Sequence, residues 1–346
     1  MMVKKLNWAL MSTARINDRI IPAIKQSKYC DLYAVASLSN KNLKAYAKKR
    51  KIPIFYNSYN DLLKDKNIDV IYISLPNHLH SKWIIKAVNA KKNVLCEKPI
   101  TTSIDEINKI EKYALKNNVV VQEATMMRFH PQTLFTQKIV KQKKIGDIRY
   151  LSAIFSFHNK NFNDIRYRFK NGGGSLWDVG SYCISYARSV LNKEPTKVFA
   201  KKIHTAGIGK VDSSLSGYLI FEKKIEMHFF CSFRSFPFDE VVIVGDKGTI
   251  KVKSPYCNNG EQGSVSITTE NKKSKKESLF GDELNKKNFI KKFDVNAYYK
   301  QIDSFSKTLL FKKPQIISLK DSKNNILALT SLLESAKTGK LLSIKK

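Results

Sequence analysis

Short apolar stretches and amphipathic stretches alternate strictly through the first third of the chain, and this alternation is the strongest constraint on its fold. Strand candidates are the apolar stretches Asn7–Met11, Leu32–Ser37, Val70–Leu75, Asn93–Cys96 and Val119–Glu123. Helix candidates lie between them, at Asp18–Gln26, Lys41–Arg50, Tyr59–Asp65, His80–Ala90 and Ser103–Asn117. Strand–helix–strand units are connected by right-handed crossovers, which produce a parallel sheet covered on both faces. The alternation predicts a doubly wound α/β domain over residues 1–125, with ligands bound beyond the carboxyl ends of its strands.

After about residue 125 the pattern changes, because strand-like runs follow one another directly. They are Ile148–His158, Thr196–His204, Ser213–Phe221, Ile225–Cys231, Glu240–Gly245, Gly248–Lys253 and Ser264–Thr269. Consecutive strands joined by short turns predict an antiparallel sheet in a second domain over residues 126–346. The Lys-rich segment Asn271–Asp294 is interpreted as a surface loop. Helices are predicted at Val295–Phe311 and Ser322–Thr338, and these final helices are candidates to pack back on the first domain.

Composition bounds the class of protein and its partners. The 346 residues suffice for two domains. The sequence contains no run of about 20 apolar residues, which is the length needed to span a membrane. The net charge of +33 raises the question of a nucleic-acid partner, but 53 of the 62 basic residues are lysines scattered over the chain. Since the lysine runs lack interleaved aromatic residues, we expect solvated faces rather than a nucleic-acid site. The positive field favours anionic substrates and cofactors.

The cysteines and histidines give no sign of a metal site. The five cysteines are odd in number and form no C-x-x-C pair, and the six histidines form no ligand cluster. We therefore expect no metal, reduced thiols and a cytoplasmic location. The basic and apolar start of the chain is interpreted as the first strand, because no small-residue cleavage site follows it.

The turn after the first strand departs from the pattern G-x-G-x-x-G/A that brings backbone N–H groups to a pyrophosphate. At the three motif positions stand Ser12, Ala14 and Asn17. Small residues at the first two positions keep the turn narrow, although glycine is absent. Taken alone, this turn indicates a nucleotide site only weakly.

The end of the second strand bears on the choice between NAD and NADP. An acidic residue there would bind the ribose of NAD, and an arginine would pair with the 2′-phosphate of NADP. The chain has neither, but Ser37 and Ser39 carry hydroxyls and Lys41 offers a counter-ion, which slightly favours NADP. A polar turn with an N-cap serine explains the same residues equally well.

Polar residues also follow two further strands of the predicted sheet. Residues 74–80 read SLPNHLH, and Glu97, Lys98 and Pro99 end the apolar run 93–96. Both stretches lie at carboxyl ends of neighbouring strands, where the nicotinamide half of a dinucleotide is expected. The alternative is that charge and proline only mark the exit of a strand from the core.

A glycine triplet at 172–174 precedes a predicted helix that carries Asp178 and Tyr182. Residues four apart share one face of an α-helix, and glycine permits close approach of another chain or a ligand. This favours a site containing both side chains. A tyrosine buried with only its tip hydrogen-bonded is an equally good interpretation.

Together these motifs resemble the Gfo/Idh/MocA oxidoreductase family. The resemblance rests on five stretches in family order: WALMSTARI at 8–16, SLPNHLH at 74–80, EKP at 97–99, EATMMRFHP at 123–131 and GGGSLWDVGSY at 172–182. Tyr182 stands where inositol dehydrogenases usually carry histidine, and in this respect the chain resembles the branch that contains dihydrodiol and D-xylose dehydrogenases. The resemblance implies an N-terminal Rossmann domain and a C-terminal α+β domain. The C-terminal domain has an open, mainly antiparallel sheet, which commonly forms the dimer interface.

The resemblance also implies roles for matched residues. Lys98 lies beside the nicotinamide and the reacting hydroxyl, Asp178 and Tyr182 complete the pocket, and either Tyr182 or Lys98 exchanges the substrate proton. Glu97 orients the turn or contacts the nicotinamide ribose, and Pro99 holds the lysine backbone, with a cis bond as one option. The implied cofactor contacts are Ser12, Thr13, Ala14, Arg15, Ile16, Ser37, Leu38, Lys41, Leu75, Pro76, Asn77, His80, Glu97, Lys98, Glu123 and Arg128.

The expected function is that of an NAD(P)-dependent oxidoreductase acting on a secondary alcohol or ketone of a sugar, nucleotide sugar or polyol. A keto-sugar reductase of glycan or lipopolysaccharide synthesis is an alternative, and a catalytically silent cofactor- or ligand-binding homologue is another. We expect a homodimer or a dimer of dimers, because one apolar sheet face cannot stay exposed. Alternating apolar residues in Ser213–Phe221 and Ile225–Cys231 are predicted to form that face.

Overall fold

The computed structural model describes residues 4–38, 41–222, 224–256, 263–276 and 283–344. Its chain divides into two compact units. The first unit comprises Met1–Phe129, Arg168–Gly173 and Asn296–Leu327, and the second comprises His130–Tyr167, Gly174–Val295 and Ala328–Lys346. No helix in the described part of the chain combines the length and apolar character that crossing a membrane requires.

The first unit contains a six-stranded parallel sheet. Its strands are β1 (Leu6–Met11), β2 (Cys30–Ala36), β3 (Ile54–Tyr56), β4 (Val70–Ile73), β5 (Asn93–Glu97) and β6 (Val121–Ala124), in the order β3-β2-β1-β4-β5-β6. The order reverses at β1, as in a doubly wound Rossmann sheet. The predicted fold class is confirmed here. Strand β3 was not predicted, because three residues are too short for a periodic signal.

Five helices connect these strands: α1 (Asn17–Gln26), α2 (Leu43–Arg50), α3 (Tyr59–Lys64), α4 (Asn77–Asn89) and α5 (Ile104–Asn117). Local sequence explains where two of them begin. Ser58 and Ser103 accept hydrogen bonds from the backbone N–H groups three residues later, which caps α3 and α5. The centre of the sheet is fully buried, with Trp8, Leu10 and Tyr72 at 0% exposure.

The second unit contains a nine-stranded sheet. Helix α6 (Pro131–Lys141) precedes β7 (Ile148–His158), and a π turn (Leu176–Gly180) leads into α7 (Ser181–Leu191). The strands that follow are β8 (Pro195–Ala206), β9 (Val211–Phe221), β10 (Ile225–Ser232), β11 (Arg234–Gly245), β12 (Gly248–Lys253), β13 (Gly263–Lys276) and β14 (Glu283–Phe293). Helices α8 (Ala297–Phe311) and α9 (Leu319–Thr338) and the short β15 (Leu342–Ser343) complete the chain, and the sheet order is β14-β13-β12-β11-β7-β10-β9-β8-β15.

Pairing in this sheet is antiparallel except between β7 and β10, which run parallel. The predicted, mainly antiparallel sheet is therefore confirmed. Helix α8 belongs to the first unit, where the Phe305 ring lies edge-on to Trp8 at 5.8 Å and the Ser306 hydroxyl lies 3.1 Å from the Cys30 thiol.

The predicted surface loop over Asn271–Asp294 is wrong. Strands β13 and β14 occupy most of it and pair antiparallel, with Thr269 opposite Lys287 and Lys275 opposite Leu284. Residues 277–282 lie outside the described residues. The periodic signal is missing because Lys287 through Lys292 of β14 are all exposed, so no apolar face alternates with a polar one.

The predicted outer face of the large sheet is also wrong. The alternating apolar residues of β9 and β10, such as Leu219 and Met227, are fully buried within this chain. Gly180 of the π turn lies against Cys231, which identifies this face as the helix-covered one. The opposite face carries a row of rings across β8, β9, β10 and β7. In this row Phe199–Tyr218, Tyr218–His228 and His228–Tyr150 are 5.5, 5.9 and 5.4 Å apart.

Candidate active site

The turn after β1 has the backbone geometry of a dinucleotide turn although it lacks glycine. Ser12 adopts a φ of +131°, which favours glycine and costs another residue about 1–3 kcal/mol. It is only 8% exposed, and its hydroxyl accepts a hydrogen bond from the Ala14 N–H at 3.1 Å. Within the described residues, the N–H groups of Arg15 and Ile16 donate to no protein acceptor. A pyrophosphate fits this turn, because an anion needs such donors ahead of a helix.

The residues predicted to contact the cofactor ribose lie at the end of β2. Ser37 is buried and its N–H donates to the Tyr56 carbonyl at 3.2 Å, whereas Leu38 is 63% exposed. Lys41 is exposed, and Ser39 lies outside the described residues. Positions 37, 38 and 41 carry no carboxylate and no guanidinium. The polar groups that these side chains offer to a cofactor ribose are the hydroxyl of Ser37 and the ammonium of Lys41.

The loop after β4 is tied down by two side chains. Asn77 is the first residue of α4, and its amide donates to the Gly172 carbonyl at 2.9 Å. The His80 ring is fully buried, with Nε2 2.7 Å from the Leu75 carbonyl oxygen and Nδ1 2.8 Å from that of Pro99. Burial lowers the pKa of His80, although the two carbonyl oxygens act in the opposite direction. His80 thus joins the Leu75–Pro76 loop to the turn that follows Lys98.

The Lys98 turn is held on three sides. Tyr72 donates a hydrogen bond to the Glu97 carboxylate, and burial together with that carboxylate raises the pKa of the phenol well above its ordinary value. The Glu123 carboxylate accepts from the Ile100 N–H at 2.9 Å and from the Ser322 hydroxyl at 3.0 Å. His80 binds the third side, and the Lys98–Pro99 bond is cis, which confirms that option. Lys98 itself is half-buried at the end of this fixed turn.

Two residues predicted to contact the cofactor are also bonded to helix α9. Glu123 is 5% exposed and bonds Ser322, and the Arg128 guanidinium lies 3.1 Å from the Asp321 carboxylate. The Arg128 side chain is 7% exposed. The structure therefore brings Glu97, Lys98, His80 and Glu123 to one turn and places Arg128 in a separate ion pair.

The predicted helix after the glycine triplet is present, although it begins with a π turn. Asp212 of β9 accepts from the Leu176 N–H at 2.7 Å and the Ser175 hydroxyl at 2.8 Å, which fixes the start of this turn. Gly174 has a φ of +126°, and a Cβ there would lie 2.4 Å from the Asp212 carboxylate. A π turn holds slightly more residues than an α turn, so four residues still make nearly one full turn, and the spacing of Asp178 and Tyr182 continues to favour a common face.

Asp178 and Tyr182 have different neighbours in the second unit. The Arg166 Nε donates to the Asp178 carboxylate at 2.7 Å, and its Nη1 lies 3.2 Å from Asp164. These carboxylates, Asp178 foremost, raise the pKa of Arg166. Tyr182 is 6% exposed, and its ring lies 5.6 Å from Phe155 and 6.0 Å from Tyr256.

Arg166 was not predicted. In the sequence it is marked only by its position shortly before the glycines, and its pairing with Asp178 becomes visible only in the structure. The described residues contain no group of three or more His, Cys, Asp or Glu side chains arranged to hold a metal ion.

Comparison with models of known protein families identifies the family of this chain. The model described as the oxidoreductase family with an NAD-binding Rossmann fold matches residues 6–125, and the GFO/IDH/MocA C-terminal domain matches residues 134–251. The chain therefore belongs to the Gfo/Idh/MocA family of NAD(P)-dependent oxidoreductases, which confirms the resemblance of its motifs.

Individual relatives match the branch predicted from Tyr182. The chain is 36% identical to D-xylose 1-dehydrogenase (NADP(+)) 2 of Haloferax volcanii, covering 62% of this chain and 66% of that protein. It is 31% identical to trans-1,2-dihydrobenzene-1,2-diol dehydrogenase of Xenopus tropicalis, over 71% and 75%. The crystal structure of an aldose-aldose oxidoreductase from Caulobacter crescentus complexed with glycerol has a TM-score of 0.87 at 20% identity, covering 98% of this chain and 100% of that chain. At this identity it shows a shared fold.

Proposed function

We propose that this oxidoreductase transfers a hydride between NADP(H) and a secondary alcohol or ketone of a sugar, nucleotide sugar or polyol. The observation that carries the proposal is the similarity to two relatives named as dehydrogenases of a sugar and of a diol. The fixed Lys98 turn at the carboxyl edge of the parallel sheet supports it, since ligands of such sheets bind at that edge.

Each proposed catalytic residue moves or holds a proton, or orients the substrate. The nicotinamide, when bound, supplies or accepts the hydride. Tyr182 gives a proton to the carbonyl oxygen during reduction and takes it back during oxidation. The Lys98 ammonium is assigned to the reacting oxygen of the substrate, and the Asp178 carboxylate, oriented by Arg166 at 2.7 Å, binds a substrate hydroxyl.

A substitution at Tyr182 tests these roles. Tyr182→Phe removes the hydroxyl and keeps the ring, so we expect turnover to fall about 100- to 10,000-fold. Tyr256→Phe is the matched control, because it removes a hydroxyl from the same aromatic cluster and should leave turnover near wild type. If Tyr182→Phe kept most activity while Lys98→Met abolished it, Lys98 would be the proton carrier.

One experiment can identify the substrate. Panels of sugars, nucleotide sugars and polyols, and of their keto forms, are incubated with NADP⁺, NAD⁺ or the reduced cofactors, and absorbance at the nicotinamide band is followed. Turnover of keto-sugars alone would favour the reductase alternative. The silent-homologue alternative predicts cofactor or ligand binding with no turnover of any compound.

NADP is proposed as the preferred cofactor. The hydroxyl of Ser37, the ammonium of Lys41 and the absence of a carboxylate from both positions support it. The relative from Haloferax volcanii is named for NADP⁺. The net charge of +33 adds a field that attracts the extra phosphate.

We also propose a homodimer, formed through the outer face of the nine-stranded sheet. The supporting observation is the ring row of Phe199, Tyr218, His228 and Tyr150. Light scattering at micromolar concentration should give at least twice the chain mass, and Tyr218→Glu should lower the measured mass.

A cytoplasmic location stays a prediction, supported by the free, buried thiols of Cys30, Cys96, Cys183 and Cys231.

A further inference from the structure

We propose that Ser12, Asn17 and Ser74 form a hydrogen-bonded network that replaces the glycines of the dinucleotide turn. The network holds Ser12 in a glycine-like conformation and thereby positions the Arg15 and Ile16 N–H groups for a pyrophosphate. This inference rests on the NAD(P) site of the proposed function and assigns its tightness to residues that the glycine pattern does not contain.

The first observation is the backbone of Ser12. Its φ of +131° is one that glycine adopts readily and other residues rarely adopt, so the serine side chain must be accommodated. The hydroxyl lies 3.0 Å from the Ser74 carbonyl oxygen, to which it donates, and 2.8 Å from the Ser74 hydroxyl. Because Ser74 follows β4, the neighbour of β1, these bonds fix the turn to the adjacent strand.

The second observation is the position of Asn17. This residue occupies the third motif position, is 0% exposed and begins α1. Its amide nitrogen donates to the Ser12 carbonyl at 2.8 Å, and its amide oxygen accepts from the Ser74 hydroxyl at 3.2 Å. A buried amide with both ends bonded has one orientation, so Asn17 holds the carbonyl of the strained residue in place.

A third contact links this network to helix α2. The Asn17 amide lies 3.3 Å from the Tyr46 hydroxyl, and the Arg50 guanidinium lies 3.9 Å from the centre of the Tyr46 ring. Arg50 also pairs with Asp18 at 2.7 Å. The pair offsets an acidic charge in the first turn of α1, which would otherwise repel a phosphate.

Asn17 is a positioning residue, because it is buried and acts through Ser12. If so, its contribution to cofactor binding disappears once residue 12 is glycine, which adopts the same φ without support. The experiment is a double-mutant cycle of Asn17→Ala and Ser12→Gly in the full chain. NADPH and NADH dissociation constants are measured by nicotinamide fluorescence.

We expect Asn17→Ala to raise the dissociation constant about tenfold or more alone, and less than about threefold in the Ser12→Gly background. Asn60→Ala, an exposed amide, is the control for general effects of amide loss. Thermal melting of each variant without cofactor tests whether the variant is folded. If Asn17→Ala proves unfolded, Ser74→Ala replaces it, because it removes a hydroxyl that bonds both Ser12 and Asn17.

Equal effects in the two backgrounds, or no effect in either, would overturn the inference alone. An absence of binding of both cofactors to the wild-type protein would overturn the proposed function and this inference together.

Discussion

Two turns at the same edge of the parallel sheet are stabilised in different ways. The Ser12 turn is held by hydroxyl and amide groups of Ser12, Asn17 and Ser74, none of which titrates near neutral pH. The Lys98 turn is held by ionisable or buried acid–base groups, namely Tyr72, His80 and Glu123. The first turn departs from the glycine pattern of its family, whereas the second keeps the EKP sequence.

The difference indicates that the two turns have different functions. A turn that binds an anion needs only fixed N–H donors, and several combinations of small polar residues can fix them. The role proposed for Lys98 requires that its side chain is held in one position, and the three anchors from neighbouring strands and helices are consistent with that role. We therefore expect the Ser12 turn to control cofactor affinity and the Lys98 turn to control the rate of reaction.

The largest expected effect belongs to Lys98. Lys98→Met removes the ammonium and keeps much of the side-chain volume, so turnover should fall about 100- to 10,000-fold. Lys112→Met, on the exposed face of α5, is the matched control and should change nothing. Near-normal turnover of Lys98→Met with a true substrate would remove this residue from the mechanism.

The next largest effect should come from Glu123. Glu123→Ala leaves the buried Ile100 N–H and Ser322 hydroxyl without their acceptor, which should lower the free energy of unfolding by about 2–4 kcal/mol. Turnover should fall as well, since the Lys98 turn loses one anchor. Glu123→Gln retains an acceptor oxygen and should recover part of both losses. Urea unfolding and steady-state kinetics measure them, and an unchanged unfolding free energy for Glu123→Ala would show that this anchor is dispensable.

A smaller, pH-dependent effect is expected from His80. Burial lowers its pKa below the ordinary 6.5, so the unfolded chain binds a proton at a higher pH than the folded chain. Stability from this group is complete above about pH 6.5 and is lost as the pH falls from there toward the folded pKa. His130 has a lowered pKa for the same reason and contributes in the same direction.

The variant His80→Gln should therefore lose less unfolding free energy than the wild type between pH 7.5 and about 5.5. His204→Gln is the control for the loss of an imidazole, because His204 is exposed on β8 and is not among the groups that shift the pKa of His80. Identical profiles for the wild type and His80→Gln would mean that His80 does not make the Lys98 turn pH-sensitive.

The smallest expected effect concerns the choice of cofactor. NADPH should bind about threefold to tenfold more tightly than NADH, a difference of up to about 1.4 kcal/mol. The reason is the hydroxyl of Ser37 and the charge of Lys41, without a carboxylate to repel the 2′-phosphate. Titration of both reduced cofactors measures the difference, and tenfold tighter binding of NADH would reverse the assignment.

The parallel sheet was predictable from sequence because its strands are buried on both faces and are separated by amphipathic helices. The position of Lys98 at the end of β5 followed from the same alternation. The strands β13 and β14 were missed, because the exposed lysines of β14 remove any alternation. Short-range patterns cannot show which distant residues meet. The anchoring of the π turn by Asp212 and the pairing of Arg166 with Asp178 therefore required the structure.

The conformation of Ser12 shows the limit of a motif. Its sequence position suggests a degraded nucleotide turn, whereas its φ and its bonds to Ser74 show that the glycine geometry is retained. The information that restores it lies in Asn17, five residues away, and in Ser74, directly after the neighbouring strand β4. A pattern written as glycines alone cannot register such a replacement.

The central claim, that one turn binds and the other reacts, is tested most directly by measuring two quantities on two variants. The quantities are the NADPH dissociation constant and the single-turnover rate at saturating cofactor and substrate, and the variants are Asn17→Ala and Lys98→Met. We predict a crossed result. Asn17→Ala should raise the dissociation constant about tenfold with a rate within about threefold of wild type, and Lys98→Met should lower the rate at least about 100-fold with nearly unchanged affinity. A result in which both variants lose affinity and rate together would contradict the division between the two turns.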